Sequence, residues 1–442
     1  MNKPSAIVAA IFAAITSASV SATPTVTIDS VTQRWPWNNK VDIKYTISGG
    51  TDMSRYEYYK IKFNATIDGQ TYEIDGSKDL IAKTVNGTHT VTWTNAPAGV
   101  RATGCTMGAT LYETTGDYMI IDLDTGHFAF ENLEGSDSRT ITPEASNARY
   151  NTALYKTDRL VMRRVERTTA PNAAYASYPT GGDSYSNTRG TNPVLTFYNS
   201  AKNWTTDKDY FVGVFMVTVA QYRKITGLER QGAFNDWGGN VKDWCPAGVE
   251  SYNTLRNSKT ATTALSADAS SVSFFERLNA KTGIGTGFDL PTEVMWEIAA
   301  RAGTTTLYWW GASKVWADFV HRCVFSGTRV DDGNGNKTRS YNVGLKSSGA
   351  QRTSNRWGLF DTMGNLIELC RDVGYYPDLK DASDPFTPKY DSAATTSMCR
   401  GGYWEETENS RTFEASFRYP APATIDKSNA NYIGIRVFFV AQ

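Results

Sequence analysis

Thiols and imidazoles are the side chains here that could hold a soft metal or form crosslinks. There are five cysteines, Cys105, Cys245, Cys323, Cys370 and Cys399, and three histidines, His89, His127 and His321. No C-x-x-C pair occurs and the histidines lie far apart. That spacing argues against a zinc site with sequence-local ligands and against H-E-x-x-H chemistry. If disulfides form, an odd cysteine count leaves one thiol unpaired or paired between chains. The tract DDGNGN at 331–336 carries the carboxylates of a calcium loop but lacks the glutamate that closes one, so it reads as a hairpin tip.

Bulk charge narrows the partners. Lys plus Arg and Asp plus Glu number 45 each, so the formal net charge is zero across 442 residues. A nucleic-acid binder would carry a basic footprint, and none is present. Length alone favours two to three domains. Lys3, the apolar stretch Ala6–Ile15 and the small-residue exit Val20-Ser21-Ala22 read as a secretory signal peptide over 1–22, cleaved after Ala22. The alternative is an uncleaved anchor. The apolar run falls short of the ~20 residues that span a bilayer. The mature protein is therefore expected to be soluble, without an integral membrane span, and located in the periplasm, at the cell surface or outside the cell. Export also makes disulfides possible.

The elements that must position any site change character along the chain. Residues 23–116 read as all-β. TVTIDSV, KVDIKYTI, YKIKFNATI and HTVTWTN alternate apolar with polar residues, and SGGTD, DGQ, VNGTH and NAPAG separate them. Strands at that spacing suggest an immunoglobulin- or fibronectin-like sandwich, with a partial barrel as the alternative. Trp35-Pro36-Trp37 is expected to pack rather than bind. Residues 117–207 read as a connector and the first part of the C-terminal domain. DYMIIDLDTG and RLVMRRVER look like strands, whereas 168–193, rich in Gly, Pro, Ser, Thr and Asn, reads as a surface loop. From 208 to 442 an α+β domain of low regular content is expected. A strand passes into a helix with Thr218 as N-cap and Gly227 as stop. A second helix puts Phe274, Phe275 and Leu278 on one face. A third starts at Thr292, carries Trp296, Ala299 and Ala300 inward, and ends at Gly303.

Five blocks in this last region, in order, resemble the sulfatase-modifying-factor (formylglycine-generating enzyme) family. They are YFVGVFMVTVAQYRKITG, PAGVESYNTLR, FDLPTEVMWEIAARAGTTTLYWWG, NRWGLFDTMGNLIELCRD, and CRGGYW followed by FRYPAPATIDKSNANYIGIRVFF. The resemblance implies a C-type-lectin-like fold. Within it, Trp296, Trp357 and Trp404 would supply burial that sparse secondary structure cannot. Gly401-Gly402 would allow close backbone approach or positive φ. Arg418 and Arg436 would be buried fork donors to carboxylates such as Glu297.

The activity is a different matter. The family's enzymes oxidise a client cysteine to formylglycine with a copper ion held by two cysteines, five and ten residues after the first glycine of the RGG motif. Soft thiolates suit Cu(I). Those positions are Glu406 and Arg411 here, and no cysteine follows Cys399. Copper is accordingly not expected, and the member reads as a pseudoenzyme. Cys370 is a candidate to pair with Cys399 or Cys323. The three-histidine set of the family's sulfoxide-synthase relatives is not reproduced. The resemblance also implies a structural calcium ion on Asp361, Gly364, Leu366 and Glu368, which offer the hard oxygens calcium prefers. The alternative is a carboxylate pair satisfied by backbone amides or by Arg371. The family's peptide cleft maps to Trp310, Trp404, Glu405, Glu406, Glu408, Arg411 and Arg418. Charged groups beside rings suit a protein, peptide or glycan ligand. Oxidation by a non-standard metal site and a purely structural surface role are the competing expectations.

Overall fold

The structure is a computed structural model. It describes residues 25–440 except 35–39, 49–57, 68, 74–86, 95, 97–100, 102–105, 115, 127, 132–148, 170–172, 174, 182–200, 229–241, 250–251, 257–272, 284–286, 329, 332–336, 339–340, 347–350, 375–383, 392–395 and 423–431. The signal peptide, Trp35-Pro36-Trp37, Cys105, His127 and the tip at 332–336 lie outside the described residues. The flanks of that tip, Val330–Asp331 and Lys337–Thr338, pair antiparallel as a hairpin requires. Among the described residues no helix is long and apolar enough to cross a membrane.

The chain divides into two compact units, Met1–Gly116 with His127–Phe130, and Asp117–Gly126 with Glu131–Gln442. In the first, alternation of side chains dictates the architecture. Along Val41–Ser48 the residues Val41, Ile43, Tyr45 and Ile47 are buried while their neighbours are not. One antiparallel sheet runs Thr25–Gln33, Val41–Ser48, Gly87–Trp93; the other runs Gln70–Glu73, Tyr58–Ile67, Thr106–Thr114. Both bury residues in one core, where Val26, Ile28 and Tyr45 meet Phe63, Ala65 and Met107. The Tyr45 and Phe63 rings meet edge to face at 5.2 Å.

The second unit is strand-rich with short helices. Five strands of its six-stranded main sheet run side by side in the order Phe288–Asp289, Phe438–Phe439, Tyr210–Gly213, Arg159–Val165, Tyr118–Asp122, all antiparallel. DYMIIDLDTG and RLVMRRVER therefore supply two of its strands. A four-stranded sheet runs Tyr419–Pro422, Thr396–Arg400, Ile367–Val373, Ile433–Gly434, the last pair parallel.

Local capping fixes the helices. Thr218 and Gln221 form a reciprocal capping box ahead of Val219–Thr226, and Gly227 closes that helix in the left-handed region. Ser273 caps Phe274–Thr282, and Gly283 ends it. Thr292 caps Glu293–Arg301, but this helix stops one residue early: Ala302 itself turns left-handed at φ 48°, followed by Gly303. Every residue of Glu293–Arg301 is buried, which is unusual for a helix carrying three charges and forces internal partners on all of them.

Rings fill the space between loops. Trp404 stacks on Tyr432 at 5.8 Å and meets Tyr341 edge-on. Trp357 packs edge to face against Tyr175 and Tyr178. Gly401 and Gly402 both take positive φ, and a Cβ on either would lie 3.0 Å or less from a ring or backbone oxygen. The expectation that 168–193 is a surface loop fails in its first part. Tyr178–Thr180 is a strand paired with Lys202–Trp204, and Tyr178 is buried. Two rings among small residues anchor a segment that composition alone assigns to solvent. Trp357→Ala would open the cavity these rings fill, with an expected loss of about 3–5 kcal/mol in denaturant unfolding; a loss below 1 kcal/mol would contradict this packing.

Candidate functional site

The glutamates of the Glu293–Arg301 helix sit one turn apart and face arginines from distant segments, Arg418 and Arg400. Glu293 accepts from Arg418 Nε at 2.7 Å and Nη2 at 2.6 Å, a bidentate fork with both side chains fully buried. Glu297 accepts from Arg301 Nε at 2.8 Å, from the Gly181 N–H at 2.7 Å and from Arg400 Nη2. Burial would raise the Glu297 carboxyl; the Arg301 and Arg400 guanidiniums outweigh it and hold the group below the ordinary carboxylate range. Trp296, on the same helix, donates Nε1–H to Glu368 at 2.7 Å. Glu368 also accepts Arg436 Nε and, at 2.6 Å, Nη2, while Arg436 gives its remaining N–H groups to the carbonyls of Gly213, Val214 and Phe360. The arginines read as fork donors are so, but Arg418 and Arg436 pair with Glu293 and Glu368, not with Glu297.

A second buried charge group lies around Asp361. Asp361 and Asn365 take positive φ with Gly364 between them, which makes the turn tight and aims the Asp361 carboxylate inward. Asp361 accepts from Arg352 Nη1 and, at 2.7 Å, from the Gly344 N–H. Lys156 is buried nearby, its Nζ 5.6 Å from the Phe215 ring and 5.4 Å from the Trp244 ring. Burial lowers the Lys156 ammonium to about 8; Asp361 opposes this and Arg352 adds to it.

This arrangement does not fit calcium on Asp361, Gly364, Leu366 and Glu368. Calcium needs those carboxylate oxygens for itself. Here Asp361 is engaged by Arg352 and Gly344, and Glu368 by Arg436 and Trp296. Arg371, the alternative partner, lies against Asp289 instead. Among the described residues no group of three or more His, Cys, Asp and Glu converges on a common point.

Among the described residues no disulfide forms: Cys245, Cys323, Cys370 and Cys399 are buried thiols, and Cys370 pairs with neither Cys399 nor Cys323. Leu369, not Cys370, stands opposite Cys399 in the strand register. Burial pushes the Cys245 thiol up to about 12 and the other three higher still.

The cleft residues divide. Glu405 is exposed; Glu406, Glu408, Arg411 and Trp310 are half-buried. Trp404 and Arg418 are interior, committed to Tyr432 and Glu293, and so drop out of the cleft. Arg411 Nε lies 4.0 Å from Glu414, which also binds Lys314 at 3.0 Å. Trp310 stacks on Tyr308 at 4.7 Å, with Arg322 5.6 Å from its ring. Glu405, Glu406 and Glu408 pair with no cation among the described residues. Three tyrosines join them that sequence reading passed over. Tyr403 and Tyr432 meet at 5.2 Å, and Tyr419 is 38% exposed. Burial, then Glu406, raises the Tyr403 hydroxyl to about 12, and burial, with smaller contributions from Cys399 and Glu406, raises that of Tyr419. Tyr403 and Tyr419 were legible only as neighbours of the RGG and FRYP blocks. Val315 and Trp316 are 59% and 51% exposed.

This chain belongs to the sulfatase-modifying factor enzyme 1-like family, whose model matches residues 164–440. No curated protein matches it. Among solved structures it is similar to Treponema denticola variable protein 1, at 17% identity over 64% of this chain and 95% of that one, TM-score 0.45. It is also similar to PvdO from Pseudomonas aeruginosa, at 18% identity over 63% and 94%, TM-score 0.43. A third is CarF, at 14% identity over 60% and 98%, TM-score 0.35.

Lys156 gives the buried charge a measurable signature. Its folded value lies below the ordinary 10.5, so protonation opposes folding fully below pH 8 and not at all above 10.5. Lys156→Met should therefore stabilise the protein at pH 7 by up to about 3 kcal/mol, with the gain shrinking as pH rises toward 10.5 in urea titrations. A gain that grows with pH would refute this.

Proposed function

We propose that this chain is an exported, catalytically silent member of its family that binds a peptide, protein or glycan. In this reading the first unit is an immunoglobulin-like sandwich that carries the family domain. One observation carries the proposal: at the two positions where the family's enzymes place copper-binding cysteines stand Glu406 and Arg411. A carboxylate and a guanidinium do not replace a bis-thiolate Cu(I) site. The described thiols offer no substitute, being buried and held protonated by that burial. The rings of Tyr403, Tyr419 and Tyr432 beside Glu405 and Glu406 instead support a contact surface. Amphipathic rings next to carboxylates that pair with no cation among the described residues favour a ligand with a cationic group.

The test uses the full reduced chain, loaded with Cu(I) in oxygenated buffer and given a cysteine-containing client peptide. The peptide is expected to keep its mass and oxygen not to be consumed; aldehyde formation would overturn the silent assignment. Export is checked separately. The mature protein recovered outside the cytoplasm should begin at Thr23, as read by N-terminal sequencing, and an intact Met1 on that material would remove the cleaved signal.

A further inference from the structure

The Tyr341–Leu345 segment bends so that its main-chain oxygens converge on one point. Arg352 Nη2 donates to the carbonyls of Asn342, at 3.2 Å, and Leu345. Arg352 Nη1 donates to the Asp361 carboxylate, whose second oxygen takes the Gly344 N–H. The segment is locked in that shape from three sides. The Arg352 N–H binds the Gly344 carbonyl at 2.9 Å, and the Asn151 amide binds the same oxygen at 2.9 Å. Gly344 itself has φ +68°, and a Cβ there would lie 2.8 Å from the Phe215 ring and 3.0 Å from the Asn151 amide. Only glycine fits, so the cage is shaped by backbone and not by a pliable side chain.

One carboxylate and two converging carbonyls are hard oxygen donors of the kind calcium takes, to which water would add the rest of its six to eight ligands. The cation they hold is covalently attached. A guanidinium brings one positive charge and directional N–H groups to the oxygens a divalent ion would otherwise draw in. Arg352 and Asp361 are both buried, at 2% and 0% side-chain exposure, so the charge is not supplied by solvent. Lys156, close enough for Asp361 to raise its ionisation, sets a further positive charge near the cage. A free divalent ion entering would meet two resident cations and repulsion from both.

We propose that Arg352 is a built-in substitute for a metal ion, occupying a cation cage that its surroundings would otherwise give to calcium. The domain then holds its Asp361 turn without calcium, and removing the guanidinium opens the cage to the ion. This stands apart from the question of catalysis, because it concerns the turn and not the Glu406 and Arg411 positions.

The experiment compares thermal midpoints of the full chain in EDTA and in calcium chloride at millimolar concentration. Wild type is expected to shift by less than about 1 °C, since a ligand without a site adds no stability. Arg352→Ala is expected to melt several degrees lower in EDTA and to recover part of that loss with calcium, while magnesium, which demands a tighter octahedron, restores less. If Arg352→Ala does not fold, Arg352→Gln, which keeps the stem and one amide donor, enters the same titration. A wild-type midpoint that climbs with calcium overturns the inference. So does a folded variant that ignores calcium.

Discussion

Burying a guanidinium against a carboxylate is the constraint on which this domain turns. Arg418 with Glu293, Arg400 with Glu297, Arg436 with Glu368 and Arg352 with Asp361 all sit inside the protein. Such pairs add little net stability over apolar residues of similar size, because desolvation offsets most of the attraction. Their effect is on specificity. An arrangement that separates one of them strands a charge in the interior at a cost of roughly 3–5 kcal/mol. Three of the pairs join segments 68 to 125 residues apart, and Arg352 with Asp361 closes a local turn, so the four together reject most alternative ways of closing these loops.

That explains how a domain with short helices and strands of a few residues holds its shape. The Glu293–Arg301 helix is buried all round, and two of its charges are answered from the Thr396–Arg400 strand and the segment that enters Tyr419–Pro422. Arg436 then bridges the Tyr210–Gly213 strand, the Phe360 turn and the Ile367–Val373 strand through Gly213, Phe360 and Glu368. The rings complete the enclosure, with Trp296 acting both as apolar filler and as donor to Glu368.

What could be read in the sequence follows the range of the interactions. Helix starts at Thr218 and Thr292 were legible because a cap acts over three residues. Strands in 25–114 were legible because alternation is local. The partners of Arg418 and Arg436 were not, since the matching carboxylates lie 125 and 68 residues away and several glutamates compete on paper. The Asp361 turn was recognised as a place for positive charge, but nothing within its own block announces that Arg352 provides it. Tyr178 was lost among glycines, serines and prolines; its burial depends on Trp357, a residue no local pattern connects to it. Trp404 and Arg418 were placed in a cleft by homologous position, although large rings and arginines more often serve the interior of so loop-rich a domain.

The strand Tyr419–Pro422 lies at the border of its sheet, and two of its four residues are prolines. A foreign strand seeking to lengthen the sheet there would find main-chain donors missing at alternate positions. Fibrous self-assembly along that border is thereby discouraged, even though a tyrosine stands uncovered on it. Contact at this margin must be made by side chains, so its selectivity can change by point substitution while the backbone beneath stays as it is.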